Sequence, residues 1–412
     1  MARLQGLGFA IAMPQDDGSV LWCERRLLAR IHRYSREDRR RSVKPVAPAA
    51  FARFLCRWHG LDDTARDLDQ PLSQLEGWAA PVLHWEQSLL ALRCREYEPQ
   101  QLDQRFLTGA LSRFRPGKGS NGEQKVIGAT PIAVVPRTHL SCWRVPPDAT
   151  EQPRPPADRI LAILARQGAT FAADLERESG LLRPQLEEAL KALVYDGRVT
   201  ADAFSPLRWL LRPEAQKSRI EKRARGSQAL PVGRWSLLPD GVETTPGLAG
   251  PEHRTQQDLA VICQALLRRY GVVFRAVLQR EPLLPPWRHL LAYLRRMEDR
   301  GEVRGGRFVD GFSGEQFALP EAIGLLRQSR AAPERPVRVV ISALDPLNLG
   351  GWILPGPRTP AQMNNRVLLE DGLPVARLVS DEVEELPGIS DASRAQARQM
   401  LTVVRPWSKR RI

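Results

Sequence analysis

The residues of this chain best suited to chemistry are arginines at regular spacing. Arg288, Arg295, Arg296 and Arg300 share the polar side of a helical pattern, and Arg304 and Arg307 follow in a short strand-like run. Planar guanidinium groups bind phosphate through paired donors. A second set, Arg26, Arg30 and Arg33, recurs at the spacing that places side chains on one helix face, and Arg36, Arg39, Arg40 and Arg41 extend it. Taken singly, each of these charges also fits an ordinary solvated face. The remaining candidate is a carboxylate, Asp345, directly before Pro346. At a strand-to-loop corner it could activate a water or stabilise a cationic sugar. It could equally hold the loop as an Asx-turn residue.

Other chemistries lack their residues. There is no GxxxxGK[ST] loop to cradle phosphates, so the chain is not expected to hydrolyse ATP by itself. No HExxH and no paired Cys–His ligands occur, so no metal site is expected. Cys23, Cys56, Cys94, Cys142 and Cys263 are widely spaced without a CxxC, which reads as five reduced thiols. His32, His59, His84, His139, His253 and His289 are scattered and read as surface or core residues. Gln256-Gln257-Asp258 is a QxD triplet at a helix start, where it reads as cap chemistry.

The elements that must carry the arginines are clearest at 259–320. Leu259, Ile262, Leu266, Leu267 and Tyr270 have helical spacing, and Gly271 stops the helix. A short segment, 272–281, precedes Pro286 and a second apolar stripe, Trp287, Leu290, Leu291, Leu294 and Met297. Gly305-Gly306 between short apolar–polar runs predicts a tight hairpin. Helix, short helix, helix and hairpin make a winged helix, whose third helix and wing suit a groove and a phosphate backbone. Residues 157–211 repeat the plan, with Gly168 and Phe171 matching Gly271 and Phe274, and Gly197 matching Gly301.

The remainder reads more coarsely. Residues 8–13 predict a strand with no partner before it, and 22–41 a helix with Leu27, Leu28, Ile31 and Tyr34 as its apolar stripe. Helices are expected at 48–58, 68–78, 81–95 and 102–114, and a strand at 126–135, so 1–145 is a helical, winged-helix-like region. Residues 146–156 are a proline-rich linker and 212–253 an irregular connector, in which 233–238 could be a strand. Residues 336–412 contain strands at 337–341, 366–369 and 374–378, read as a barrel-like β-unit with a helical, basic tail. The fold class is therefore α+β: tandem winged helices at 157–211 and 254–327, then a small β-domain.

Composition agrees with an anionic partner. The 412 residues carry a net charge of +14, mostly as arginine excess, and 42% are apolar, enough for packed cores. No run approaches a membrane span, and the start lacks the form of a signal peptide.

Several runs resemble one family. Residues 266–275 (LLRRYGVVFR), 301–320 (GEVRGGRFVDGFSGEQFALP), 23–34 (CERRLLARIHRY) and 345–349 (DPLNL) resemble the C-terminal region of the bacterial long helicase-related proteins, Lhr. Full-length members are superfamily 2 DNA helicases of DNA repair that use ATP and magnesium in a core placed before this region. The resemblance implies tandem winged helices and a β-barrel, akin to winged-helix DNA glycosylases of the AlkZ type, and a link to uracil-DNA glycosylase activity. The glutamine-based motif of the AlkZ type is not recognisable here. The resulting expectation is a DNA-binding module, for single- or double-stranded DNA, without cofactor, partnered by a helicase core. Homo-oligomers and a cytoplasmic, nucleoid-associated location fit the same reading. The alternatives are a glycosylase using Asp345 and an assembly module whose charge only solvates it.

Overall fold

The structure is a computed structural model and describes residues 2–15, 17–61, 67–94, 96–117, 125–144, 154–223, 232–239 and 254–402. Among these residues three units share one winged-helix topology, where the sequence suggested two and, more coarsely, a winged-helix-like region at 1–145. In each, a short strand precedes the second helix, and two longer strands follow the third. The first strand pairs with the last, and the last with the middle one.

The third unit follows expectation most closely. Its first helix, Gln256–Tyr270, opens with a reciprocal cap between Thr255 and Asp258, so the QxD triplet is cap chemistry. Strand Val272–Val273, a 3-10 turn at Val277–Arg280 and helix Trp287–Asp299 follow. Leu290, Leu294 and Met297 face the core as their spacing requires. The Gly-Gly hairpin is a correction. Gly305 and Gly306 lie inside strand Arg304–Gly306, and the turn is the longer loop 307–315. The glycines are needed for close approach: a Cβ on Gly305 would lie 2.7 Å from Arg40 Nε, and one on Gly306 2.9 Å from Val43.

The second unit runs from helix Pro155–Gln167 through helices Ala172–Ser179 and Arg183–Tyr195 to strand Val199–Ala201. Its closing strand is Arg234–Leu237, inside the segment expected to be irregular. The unit thus extends beyond 211, because an insertion with helices Ser205–Leu210 and Glu214–Arg223 separates the two wing strands. The residue matching with the third unit holds for the topology but not for the aromatics. Phe171 is exposed whereas Phe274 is fully buried.

The first unit was legible only in pieces. Helix 102–114 is corrected to Pro99–Leu107 followed by strand Leu111–Phe114, which pairs with Pro131–Pro136. Residues 82–93 form its second helix, with a π-turn at Trp85–Leu90. Its sheet divides two cores by strand alternation. Ile132 and Val134 face the first and second units, while Ala133 and Val135 face the third.

Among the described residues the C-terminal unit forms no closed barrel. Four antiparallel strands form an open meander, Arg338–Ser342, Arg366–Glu370, Leu373–Val379 and Glu382–Glu385, with helix Asp391–Thr402 on one face. Alternation again assigns the faces: Val367 and Leu369 join the third unit's core, and Leu368 packs under that helix with Ala397 and Leu401. The basic end of the tail, 409–411, and most of the proline-rich linker lie outside the described residues.

The N-terminal arm also differs from expectation. Strand Ala10–Pro14 pairs with Val20–Glu24, so its partner follows it, and the next helix starts only at Arg25. Helix Arg25–Arg41 buries none of its residues; Leu27, Ile31 and Tyr34 are exposed. It is attached through its arginines instead. The next helix, Pro48–Trp58, belongs to the third unit's core, with Phe51 against Phe274 at 5.7 Å between ring centroids. No described helix is long and apolar enough to cross a membrane.

Gly271 is required twice: its φ is +62°, and an added Cβ would lie 2.5 Å from the Phe54 ring. Gly271→Ala should therefore cost about 2 kcal/mol or more. Urea unfolding monitored by circular dichroism checks this; a midpoint unchanged from wild type would contradict it.

Candidate nucleic-acid interface

The three third helices have different surroundings. In the first unit, Pro99–Leu107 is packed against the second unit: Asp103 accepts from the Phe204 and Ser205 amides at 2.7 and 2.8 Å and from Arg208 at 2.7 Å. In the second unit, Arg183–Tyr195 presents Glu187 and Glu188, which are engaged by Trp209, Lys217, Lys125 and Lys191. Lys217, on helix Glu214–Arg223, is buried there between Glu187 and Glu214. Only Trp287–Asp299 of the third unit combines an open face with several cations.

The arm helix stands beside this helix and its wing. Arg36 pairs with Asp299, and Arg40 with Glu298 (Nε to Oε1 2.8 Å) and Glu315 (Nη2 to Oε2 3.0 Å). Between the two helices lies an open groove of about 710 Å³, lined by Arg26, Arg30, His32, Arg33, Arg36 and Arg39 opposite Glu298 and Asp299. Helical periodicity puts Arg26, Arg30 and Arg33 on one wall, and the ion pairs of Arg36 and Arg40 fix that wall in place. Among the described residues, no carboxylate lies within ion-pair distance of Arg26, Arg30 or Arg33.

The predicted cations of the third unit divide into two groups. Arg295 is held by Glu315, and Arg296 by the Gln256 side chain. Arg300, also on this helix's polar side, is tied to Glu302 and lies over the Tyr293 ring. Arg288 and Arg307 are exposed and Arg304 half-buried, without a described carboxylate partner. Sequence reasoning missed His32 and the carboxylates Glu298, Asp299 and Glu315. Only the docking of the arm makes these residues neighbours.

Asp345 is elsewhere, 1% exposed in the interior. Arg93 of the first unit grips both its oxygens, at 2.8 and 2.9 Å, and the Leu347 amide donates to Oδ1 at 3.0 Å, the Asx-type bond of a turn. Burial alone would raise its pKa; the Arg93 guanidinium outweighs that and holds the carboxyl below its ordinary value. His59 completes the network. Arg93 Nε lies 3.3 Å from its Nδ1, and its Nε2 lies 2.8 Å from the Arg269 carbonyl. These partners select the neutral tautomer with the proton on Nε2. Arg280 of the third unit adds hydrogen bonds to the backbone carbonyls of Ala343, Asp345 and Asn348. Asp345 is thus placed as a staple between units, with neither oxygen open to a substrate.

The fold defines a class: a protein of tandem winged helices, of which one presents an open cationic helix. Models of the winged-helix domain of the large helicase-related protein match residues 46–130 and 252–338. These cover most of the first unit and the whole of the third. The chain is 28% identical over 404 residues to the Lhr helicase/uracil glycosylase of Escherichia coli (strain K12), covering 88% of this chain and 25% of that protein. It is 28% identical over 367 residues to the Lhr helicase/probable uracil glycosylase of Mycolicibacterium smegmatis (strain ATCC 700084), covering 82% and 23%. The two winged-helix models and the two relatives, each matched along most of this chain, support a C-terminal Lhr-family region. It spans about a quarter of the length of these curated relatives.

The His59 site carries a pH dependence. Burial lowers the His59 pKa to about 3, and that of the nearby His84 to about 4, against 6.5 for the free side chain. On acidification the unfolded chain takes up protons that the folded chain refuses. Stability is therefore full above about pH 6.5 and falls as the pH drops through the window down to these values. Between pH 7.5 and 5.5, wild type should lose on the order of 1 kcal/mol more than His59→Gln. Urea titrations at the two pH values measure this, and equal losses in both proteins would refute it.

Proposed function

We propose that this chain is the DNA-gripping region of an Lhr-type helicase, with the ATP-driven motor supplied by a separate part or partner. The observation that carries the proposal is the arginine groove beside the third unit's open helix. Its guanidiniums line one wall, the ion pairs of Arg36 and of the neighbouring Arg40 fix that wall, and no described carboxylate neutralises Arg26, Arg30 or Arg33. Such a surface binds the phosphate backbone without reading sequence. The wing arginines, Arg304 and Arg307, lie on the same unit and extend the contact. A role in DNA repair follows from the same reading.

Binding should weaken linearly in log–log form as salt rises, with about 0.9 per phosphate contact. The triple change Arg26→Ala, Arg30→Ala, Arg33→Ala should flatten that slope by about 3 and lower affinity for unrelated sequences alike. The change Arg295→Ala, Arg296→Ala, Arg307→Ala should cost less, since two of those groups already have partners in the free protein. Fluorescence anisotropy with single- and double-stranded oligonucleotides measures both; an arm variant that binds as wild type does would overturn the assignment.

A second reading, release of uracil from DNA, is favoured by the names of both relatives. Asp345 is not placed to serve it. Asp345→Asn keeps the turn acceptor but leaves Arg93 without its counter-charge in the interior, which should cost about 3–5 kcal/mol. Any loss of activity in this variant should therefore track loss of folded protein. An assay on uracil-containing DNA with alkaline cleavage, run beside a thermal melt, decides the point: a stable, inactive Asp345→Asn protein would restore a catalytic role.

A further inference from the structure

We infer that Glu315, on the wing of the third unit, is a built-in competitor for phosphate that limits how tightly this interface holds DNA. The inference rests on the DNA-binding reading above. Glu315 stands directly before the wing's return strand, Gln316–Ala318. Its carboxylate accepts from Arg295 Nε at 3.0 and 3.3 Å and from Arg40 Nη2 at 3.0 Å. One oxyanion thus holds a guanidinium from the open helix and another from the arm. That is the arrangement in which paired arginines clamp a phosphate.

The clamp is open to exchange. The Arg295 side chain is 52% exposed and that of Glu315 26%. Ion pairs so exposed add little net stability, so a phosphate can replace the carboxylate without disrupting the wing. Hydrogen bonds from Arg295 hold the Glu315 carboxyl below its usual range, so it is ionised at neutral pH and its negative charge opposes an incoming strand. The arm does not depend on Glu315 for attachment. Arg40 is bonded independently to Glu298, whose side chain is only 7% exposed, and Arg36 to Asp299. Removing the Glu315 charge therefore frees the Arg295 guanidinium, while Arg40 stays on Glu298 and the groove stays assembled.

The test uses the full chain with Glu315→Gln, which keeps the side chain's shape and removes its charge. Anisotropy with a single-stranded and a double-stranded oligonucleotide, at several salt concentrations, should show affinity about three- to tenfold above wild type at low salt, and a slope steeper by about 0.9. Glu382→Gln, the same charge change on an exposed residue outside the interface, measures the effect of net charge alone. In an Arg295→Ala background the gain from Glu315→Gln should fall toward that of Glu382→Gln, because the guanidinium it releases is gone. Glu315→Ala should reproduce the gain, and thermal melts verify that each variant is folded. If wild type binds and neither Glu315 variant binds more tightly than Glu382→Gln, this inference is overturned and the DNA-binding reading stands. If neither wild type nor any variant binds DNA, the reading itself falls, and the inference with it.

Discussion

The bidentate pair between Arg93 and Asp345 is the contact on which the relative placement of the units depends. Both partners are almost completely buried, 0% and 1% exposed at their side chains, so neither has water to fall back on. Two charges taken into the interior are tolerable only when their hydrogen bonds are filled. Here Arg93 also donates to the Leu89 carbonyl and lies against His59, and Asp345 also receives the Leu347 amide. The loop that carries Asp345 is held from the other side by Arg280. The first unit, the third unit and the C-terminal sheet therefore meet at one loop. The run DPLNL, a mark of the Lhr resemblance, has this mechanical meaning.

A second buried arginine works in the same way. Arg269 pairs with Glu281 within the third unit and donates to the backbone carbonyls of Gln74 and Glu76 in the first. Its neighbour Arg268 pairs with Glu76, whose other oxygen receives Trp143 and faces His139. Arginine is therefore used in two distinct ways along this chain. Inside, it joins units through carbonyls and carboxylates. Outside, on the arm and the third unit, it remains half-exposed and loosely paired.

The same division explains why three winged helices yield one open helix face. The first and second units spend their third helices on each other and on the insertion between the second unit's wing strands. Phe106 against Phe204, at 5.9 Å between ring centroids, and the Asp103 cap of the insertion helix bury the first. Acidic residues Glu187 and Glu188, matched by lysines and Trp209, occupy the second. The third unit instead gives its core side to the helix Pro48–Trp58 and keeps the opposite side free for the arm.

Much of this was determined by the sequence itself. Apolar spacing defined the helices of the second and third units, Gly271 marked a helix end, the runs at 366–369 and 374–378 marked strands of the last sheet, and the QxD triplet read as a cap. These are local consequences of backbone sterics and of side-chain period, so they survive without tertiary context. The first winged helix was legible only as a winged-helix-like region, because its strands are short and its sheet is buried on both faces, which blurs the polar–apolar alternation. The strand at 233–238 was legible, but its place in the second unit's sheet was not, because a long insertion separates it from its partner. The fate of the charges was decided only by tertiary structure. Nothing local distinguishes Arg93 or Arg269, fully buried, from Arg26 or Arg30, exposed at the groove. Asp345 before Pro346 has the same local signature whether it faces a substrate or an arginine far away in the chain. Which reading holds is set by the partner that folding brings to it, since the free energy of a charge depends on its surroundings more than on its sequence neighbours.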